Sequence, residues 1–227
     1  MATAAPERPQ FVSTPHAGEV GATLILPDDA EAALVFAHGA GAGMGHAFMA
    51  DTARRLATRG IATLRYQFPY MEAARRAPDR APVLIETVRA AVARAAVLAP
   101  GLPLVAGGKS MGGRMTSAAA AEAELPGARG LVFFGFPLHP AKRPSADRAA
   151  HLADVDLPML FLQGSRDALA DLGLLAPIVE ALGPRATLHV VEGADHGFHV
   201  PRKSGRTDKE VADELADRVS GWIRALR

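Results

Sequence analysis

Short apolar runs alternate with longer helical patterns over most of this 227-residue chain, and that alternation restricts its fold more than any other feature. The runs are Thr23–Leu26, Ala33–Ala37, Ile61–Tyr66, Leu102–Gly107, Leu131–Phe134, Met159–Gln163 and Thr187–Val191. Most are continuously apolar, as strands covered on both faces are. Between them, Phe48, Thr52 and Leu56 keep a helical spacing, as do Leu84, Val88, Ala91 and Ala95. Leu172, Leu175, Val179 and Leu182 repeat it, and Val211, Leu215, Val219, Trp222 and Leu226 carry it to the end. Such alternation predicts an α/β fold with a mainly parallel central sheet flanked by helices. In that architecture a site belongs just beyond the carboxyl ends of the strands.

Composition excludes several classes. Lys+Arg 25 against Asp+Glu 24 leaves a net charge of +1, too little for a nucleic-acid binder that relies on a broad basic field. There is no cysteine, hence no disulfide framework and no thiolate metal site. The histidines are scattered without H-x-x-x-H or H-E-x-x-H spacing, so neither a metal nor another cofactor is expected. The opening MATAAPERPQ lacks the apolar core of a signal peptide, and no apolar run is long enough to span a membrane. These points predict a cytoplasmic protein with no membrane or nucleic-acid partner. Residues 1–10 read as a flexible arm, and 11–227 as a single domain.

The unusual residues fall where the fold wants them. After Leu102–Gly107 comes Gly108-Lys109-Ser110-Met111-Gly112, a G-x-S-x-G pentapeptide, with a helix expected from Met111 to Glu122. A sharp strand-to-helix turn lifts the Ser110 hydroxyl above the sheet, and small residues on either side avoid clashes. An ordinary glycine-rich loop with an exposed serine is the alternative. A phosphate loop fails, because Pro103 stands where its first glycine should be. His38-Gly39-Ala40-Gly41-Ala42-Gly43 follows the run Ala33–Ala37. The dinucleotide pattern fails there at Met44 or His46, and no acidic residue closes the next strand. An oxyanion loop fits better, with the N–H groups of Ala40 and Met111 as the donors.

Two further loops complete the pattern. Asp167 ends the stretch Gln163-Gly164-Ser165-Arg166-Asp167, with Asp171 as a weaker carboxylate four residues on. His196 lies in Glu192-Gly193-Ala194-Asp195-His196-Gly197-Phe198, with His199 as its local competitor and His189 inside a strand. The order Ser110, Asp167, His196 is the order a nucleophile, an orienting carboxylate and a base take in an α/β-hydrolase.

With these motifs placed, the chain resembles the small, cap-less α/β-hydrolases related to dienelactone hydrolases. More narrowly, it is similar to a bacterial branch that shares its domain with a subunit of the chromatin-regulating NSL complex. The likeness rests on FAHGAGAGM at 36–44, RYQFPYM at 65–71 and GGKSMGGRM at 107–115. It continues through FGFPLHP at 134–140, QGSRDAL at 163–169 and GADHGFHVPRKSGRT at 193–207. The resemblance implies Ser110, Asp167 and His196 as catalytic triad. Serine replaces the cysteine nucleophile of dienelactone hydrolases proper. The reading is therefore hydrolysis of a small carboxylic ester, thioester or lactone through an acyl-enzyme. A non-catalytic interaction module and an acyltransferase using the same triad are the alternatives.

The stretch from Gly135 to Asp156 is too short for a large helical cap, so an open site is expected. Arg65, Arg75, Arg76, Lys109, Arg114, Arg202, Lys203 and Arg206 fall near its mouth. They could recognise a substrate anion, with Arg65 and Lys109 the substrate-binding candidates, or form ion pairs with neighbours such as Asp79 and Asp208.

Overall fold

The computed structural model describes residues 5–226. Its strands are β1 (Glu7–Thr14), β2 (Gly18–Ile25), β3 (Ala32–Ala37), β4 (Ile61–Tyr66), β5 (Leu104–Lys109), β6 (Ala128–Phe134), β7 (Met159–Gly164) and β8 (Ala186–Val191). The helices are α1 (Ala47–Ala57), α2 (Pro69–Glu72), α3 (Ala81–Leu98), α4 (Met111–Glu122), α5 (Leu172–Ala181) and α6 (Asp208–Ala225). The strands form one sheet in the order β1-β2-β4-β3-β5-β6-β7-β8. Pairing is parallel from β4 to β8, while β1 and β2 join antiparallel. This is the expected α/β architecture, with no large cap.

Strand alternation explains why the inner runs are apolar throughout. Leu34 and Phe36 point to one face with Val105, Val132 and Phe134, where Met49 and Leu56 of α1 and Val211, Leu215 and Val219 of α6 cover them. Ala33 and Val35 point to the other, with Ala106, Phe133 and Phe161, under Leu84 and Val88 of α3 and Met115 of α4. Every residue of β3, β4 and β7 is buried because both faces are roofed.

The amino-terminal segment corrects the sequence reading. Residues 7–10, expected in a loose arm, form the first half of β1 and pair with β2 from Glu7↔Ile25 to Gln10↔Ala22, in a ladder that runs on to Thr14↔Gly18. Only Val12 and Thr14 of β1 are buried, while Phe11 stays 58% exposed. An edge strand held by its ladder needs little apolar sequence, so the hydrophobic pattern is nearly silent there. Residues 1–4 of that expected arm lie outside the described residues. Among the described residues, no helix is long and apolar enough to cross a membrane. The stretch after β6 holds only a short 3-10 helix at Asp147–Asp154, packed on α4.

Candidate active site

Ser110 stands between β5 and α4 with φ 52° and ψ −118°. That left-handed backbone is strained for a residue with a side chain, and such strain concentrates at functional sites. The surroundings enforce it: Ser110 N–H donates to the Phe134 carbonyl at 3.1 Å, and its own carbonyl accepts from Arg114 N–H at 3.1 Å. The hydroxyl is thereby aimed away from the helix it begins, and it makes no capping bond.

His196 comes from the loop after β8. Its Nε2 lies 2.9 Å from Ser110 Oγ, and its Nδ1 lies 2.7 Å from Asp167 Oδ2. A carboxylate only accepts, so Nδ1 carries the proton and Nε2 is left to accept from the serine hydroxyl. Asp167, in the loop after β7, has a fully buried side chain. Oδ2 also accepts from Gln163 Nε2 at 2.6 Å, and Oδ1 accepts from the Leu169 N–H at 2.7 Å. Three donors surround one buried carboxylate, which fixes its orientation and offsets its lost hydration.

The loop after β3 is clamped from several sides. The His38 ring is buried and accepts at Nε2 from the Phe68 N–H at 3.0 Å, so Nδ1 donates to the Gly39 carbonyl at 2.8 Å. Burial pushes its pKa down to about 4, which keeps it neutral. Met44 N–H donates to Gln67 Oε1 at 2.8 Å, and the Met44 carbonyl accepts from Arg65 at 3.0 Å. Among the described hydrogen bonds, neither Ala40 N–H nor Met111 N–H has an acceptor. For Met111 this follows from its place at the first position of α4.

Arg65 corrects the sequence reading. It is only 2% exposed, bonded to Met44 and 2.8 Å from Glu7 of β1, and it does not line the pocket at Ser110. Its position on β4 opposite Phe36 directs it under the loop rather than toward the mouth. Two other members of the basic set are ion-paired. Arg75 pairs with Asp79, and Arg206 with Glu214. Arg114 lies partly buried near Arg148. Arg76, Arg202 and Lys203 are exposed. Of the competing candidates, Asp171 caps α5 through Gly173 N–H, His199 pairs with Asp208 at 2.8 Å, and His189 with Glu214 at 2.6 Å.

Lys109 does reach the pocket. Its ammonium donates to the His196 carbonyl and lies 5.5 Å and 5.0 Å from the ring centres of Phe48 and Phe198. Burial lowers its pKa to about 8, and the charges of Asp167 and Asp195 limit the fall. Between about 8 and the ordinary lysine value of 10.5, the unfolded chain holds this proton and the folded one does not. Stability contributed through Lys109 therefore rises as pH rises through that window. The urea midpoint of Lys109→Met relative to wild type is accordingly expected to be higher at pH 7 than at pH 10. An unchanged difference would remove the buried charge from the account.

One cavity of about 740 Å³ opens at Ser110 and His196. Gly39 and Ala40 line one side, Phe48 and Met49 of α1 another, and Phe198 and Leu215 the far end. Phe48 read from sequence only as helix core, and Phe198 carried no role. Their pairing depends on a loop and a helix remote in sequence, which periodicity cannot join.

The alpha/beta hydrolase domain model matches residues 30–224. Among solved structures, a dienelactone hydrolase from Anabaena variabilis is 22% identical with a TM-score of 0.78, over 99% of this chain and 100% of that one. A serine hydrolase without lid from Xanthomonas campestris is 22% identical with a TM-score of 0.74, over 95% and 94% of the two chains. An alpha-beta serine hydrolase homologue from Coxiella burnetii is 19% identical with a TM-score of 0.75, over 96% and 98%.

Proposed function

This chain belongs to the alpha/beta hydrolase domain family, and from that premise we propose that it hydrolyses a small carboxylic ester through an acyl-enzyme. The observation that carries the reading is the continuous chain of bonds from Ser110 to His196 to Asp167 at the floor of an open pocket. Nucleophile, base and orienting acid are then already within reacting distance.

Ser110 Oγ attacks the ester carbon while its proton passes to His196 Nε2. The carbonyl oxygen takes up the negative charge, and the unpaired N–H groups of Ala40 and Met111 are the donors for it. Asp167 keeps the proton on Nδ1 and stabilises the imidazolium. Collapse of the adduct breaks the bond to the alkoxy oxygen, which leaves with the proton from Nε2. Water then attacks the acyl carbon, gives its proton to Nε2, and releases the acid as Ser110 recovers its own. His38, Arg65 and Gln67 hold the loop that carries Ala40, so the donors need little rearrangement. The structural neighbours, a dienelactone hydrolase and serine hydrolases, support the same chemistry.

A fluorophosphonate probe tests the reading directly, because only an activated serine is phosphonylated at a useful rate. Folded protein is expected to take up one label per chain, mapped to the peptide containing Ser110, and urea-unfolded protein none. Folded protein that resists the probe would overturn the activated-serine reading.

A further inference from the structure

The pocket beside Ser110 has a wall that hydrolysis alone does not require. Phe48 and Phe198 lie nearly parallel, with ring centres 5.9 Å apart and planes at 14°. Met49, Ala212 and Leu215 continue this wall between α1 and α6. Phe198 adopts φ +65°, a left-handed backbone that a bulky side chain rarely takes. Asp195 imposes it: Oδ1 accepts from Gly197 N–H at 2.8 Å and His199 N–H at 2.9 Å, and its carbonyl accepts from Phe198 N–H at 3.0 Å. One tight turn therefore sends His196 toward Ser110 and Phe198 into the pocket. A strained residue whose ring forms a pocket wall points to a role for that ring.

The carboxylates around this wall are already engaged. Asp51 lies 2.7 Å from Arg55, and Asp208 lies 2.8 Å from His199. The Lys109 ammonium faces the His196 carbonyl and the two rings. Arg54, at the outer rim, is half-exposed and 3.9 Å from Glu7. A substrate arm lying here meets aromatic and aliphatic surface along Phe48, Met49, Phe198, Ala212 and Leu215, and the Lys109 ammonium at its edge is turned to the His196 carbonyl.

From this continuity with Ser110 and this lining, we infer that the groove between α1 and α6 selects esters carrying an uncharged, apolar arm seated against Phe48 and Phe198. The inference rests on the hydrolase reading and adds the substrate class to it. An apolar arm could belong to the acyl or to the alcohol half of the ester, and the groove chemistry is the same for both.

The test uses two ester series. In one, p-nitrophenyl acetate, butyrate and hexanoate vary the acyl half; in the other, methyl, butyl and benzyl acetate vary the alcohol half. In the series whose arm occupies the groove, kcat/KM is expected to rise about threefold to fourfold per buried methylene. The p-nitrophenyl ester of a succinic half-acid should be poorer than the butyrate by at least tenfold. Phe48→Ala should lower the long-to-short ratio in the responding series about tenfold, and Ala212→Trp should lower it by blocking the groove. Exposed Val97→Ser, remote from the pocket, should leave that ratio as in wild type. Flat profiles in both series, or preference for the carboxylate-bearing ester, would overturn the inference while turnover left the hydrolase reading standing. No turnover of any ester, together with no fluorophosphonate label, would overturn both.

Discussion

Ser110→Ala and His196→Ala are each expected to lower kcat/KM for a cleaved ester by about a millionfold, with the double variant scarcely worse. The geometry explains this lack of additivity. The base has nothing to deprotonate once the serine is gone, and the serine keeps its proton once Nε2 is gone. Asp167→Asn should cost less, about ten-thousandfold in kcat. The buried carboxylate accepts from His196, Gln163 and Leu169, and an amide can accept at only one of its two ends. Oriented toward Leu169, an asparagine would place its NH₂ against Nδ1 and force the proton onto Nε2, where it blocks acceptance from Ser110. Single-turnover kinetics on the three single variants and the Ser110–His196 double variant would check the pattern. Losses that multiply in the double variant would separate the two residues and sink the relay as drawn.

The sequence made the inner sheet legible because burial on both faces leaves continuous apolar runs, as in β3, β4 and β7. It made Ser110, Asp167 and His196 legible as candidates because each follows a different strand in a meaningful order. β1 escaped for the opposite reason: its ladder with β2 satisfies the backbone, and only alternate residues near its end reach the core. Arg65 was misread because position beside a loop does not say which way a strand side chain points. Its register opposite Phe36 buries it. Phe198 and Gln163 were unassigned because their roles arise only when separate loops meet. No local pattern encodes the stacking of Phe198 on Phe48 or the bond from Gln163 to Asp167.

Gly112→Ala is expected to destabilise the fold by about 2–3 kcal/mol, lowering Tm by about 5–10 °C, although glycine-to-alanine changes ordinarily favour a helix. The reversal comes from three main-chain atoms of one neighbouring segment. A Cβ on Gly112 would stand 2.6 Å from both the Ala37 and the His38 carbonyl oxygens, and 2.7 Å from the Ala37 carbonyl carbon. These are main-chain atoms of β3 and the loop it feeds, so no side chain can swing aside. A Cβ on Gly108 would meet the Ala37 carbonyl oxygen at 2.6 Å as well, which shows that the start of α4 and the end of β5 both rest on the end of β3. The serine turn and the loop that carries Ala40 thus share one contact, and pushing on it moves both. A displacement approaching an ångström between Ser110 and the Ala40 N–H should cost about a hundredfold in kcat in addition to the lost stability. Gly221→Ala supplies the comparison, because Gly221 lies in α6 with nothing within 4 Å of a Cβ there. It should stabilise by about 0.5–1 kcal/mol through helix propensity alone and leave kcat as in wild type. Calorimetry and esterase kinetics on the pair would decide the matter, since equal Tm shifts in the two variants would mean that the contact between α4 and β3 is looser than these distances require.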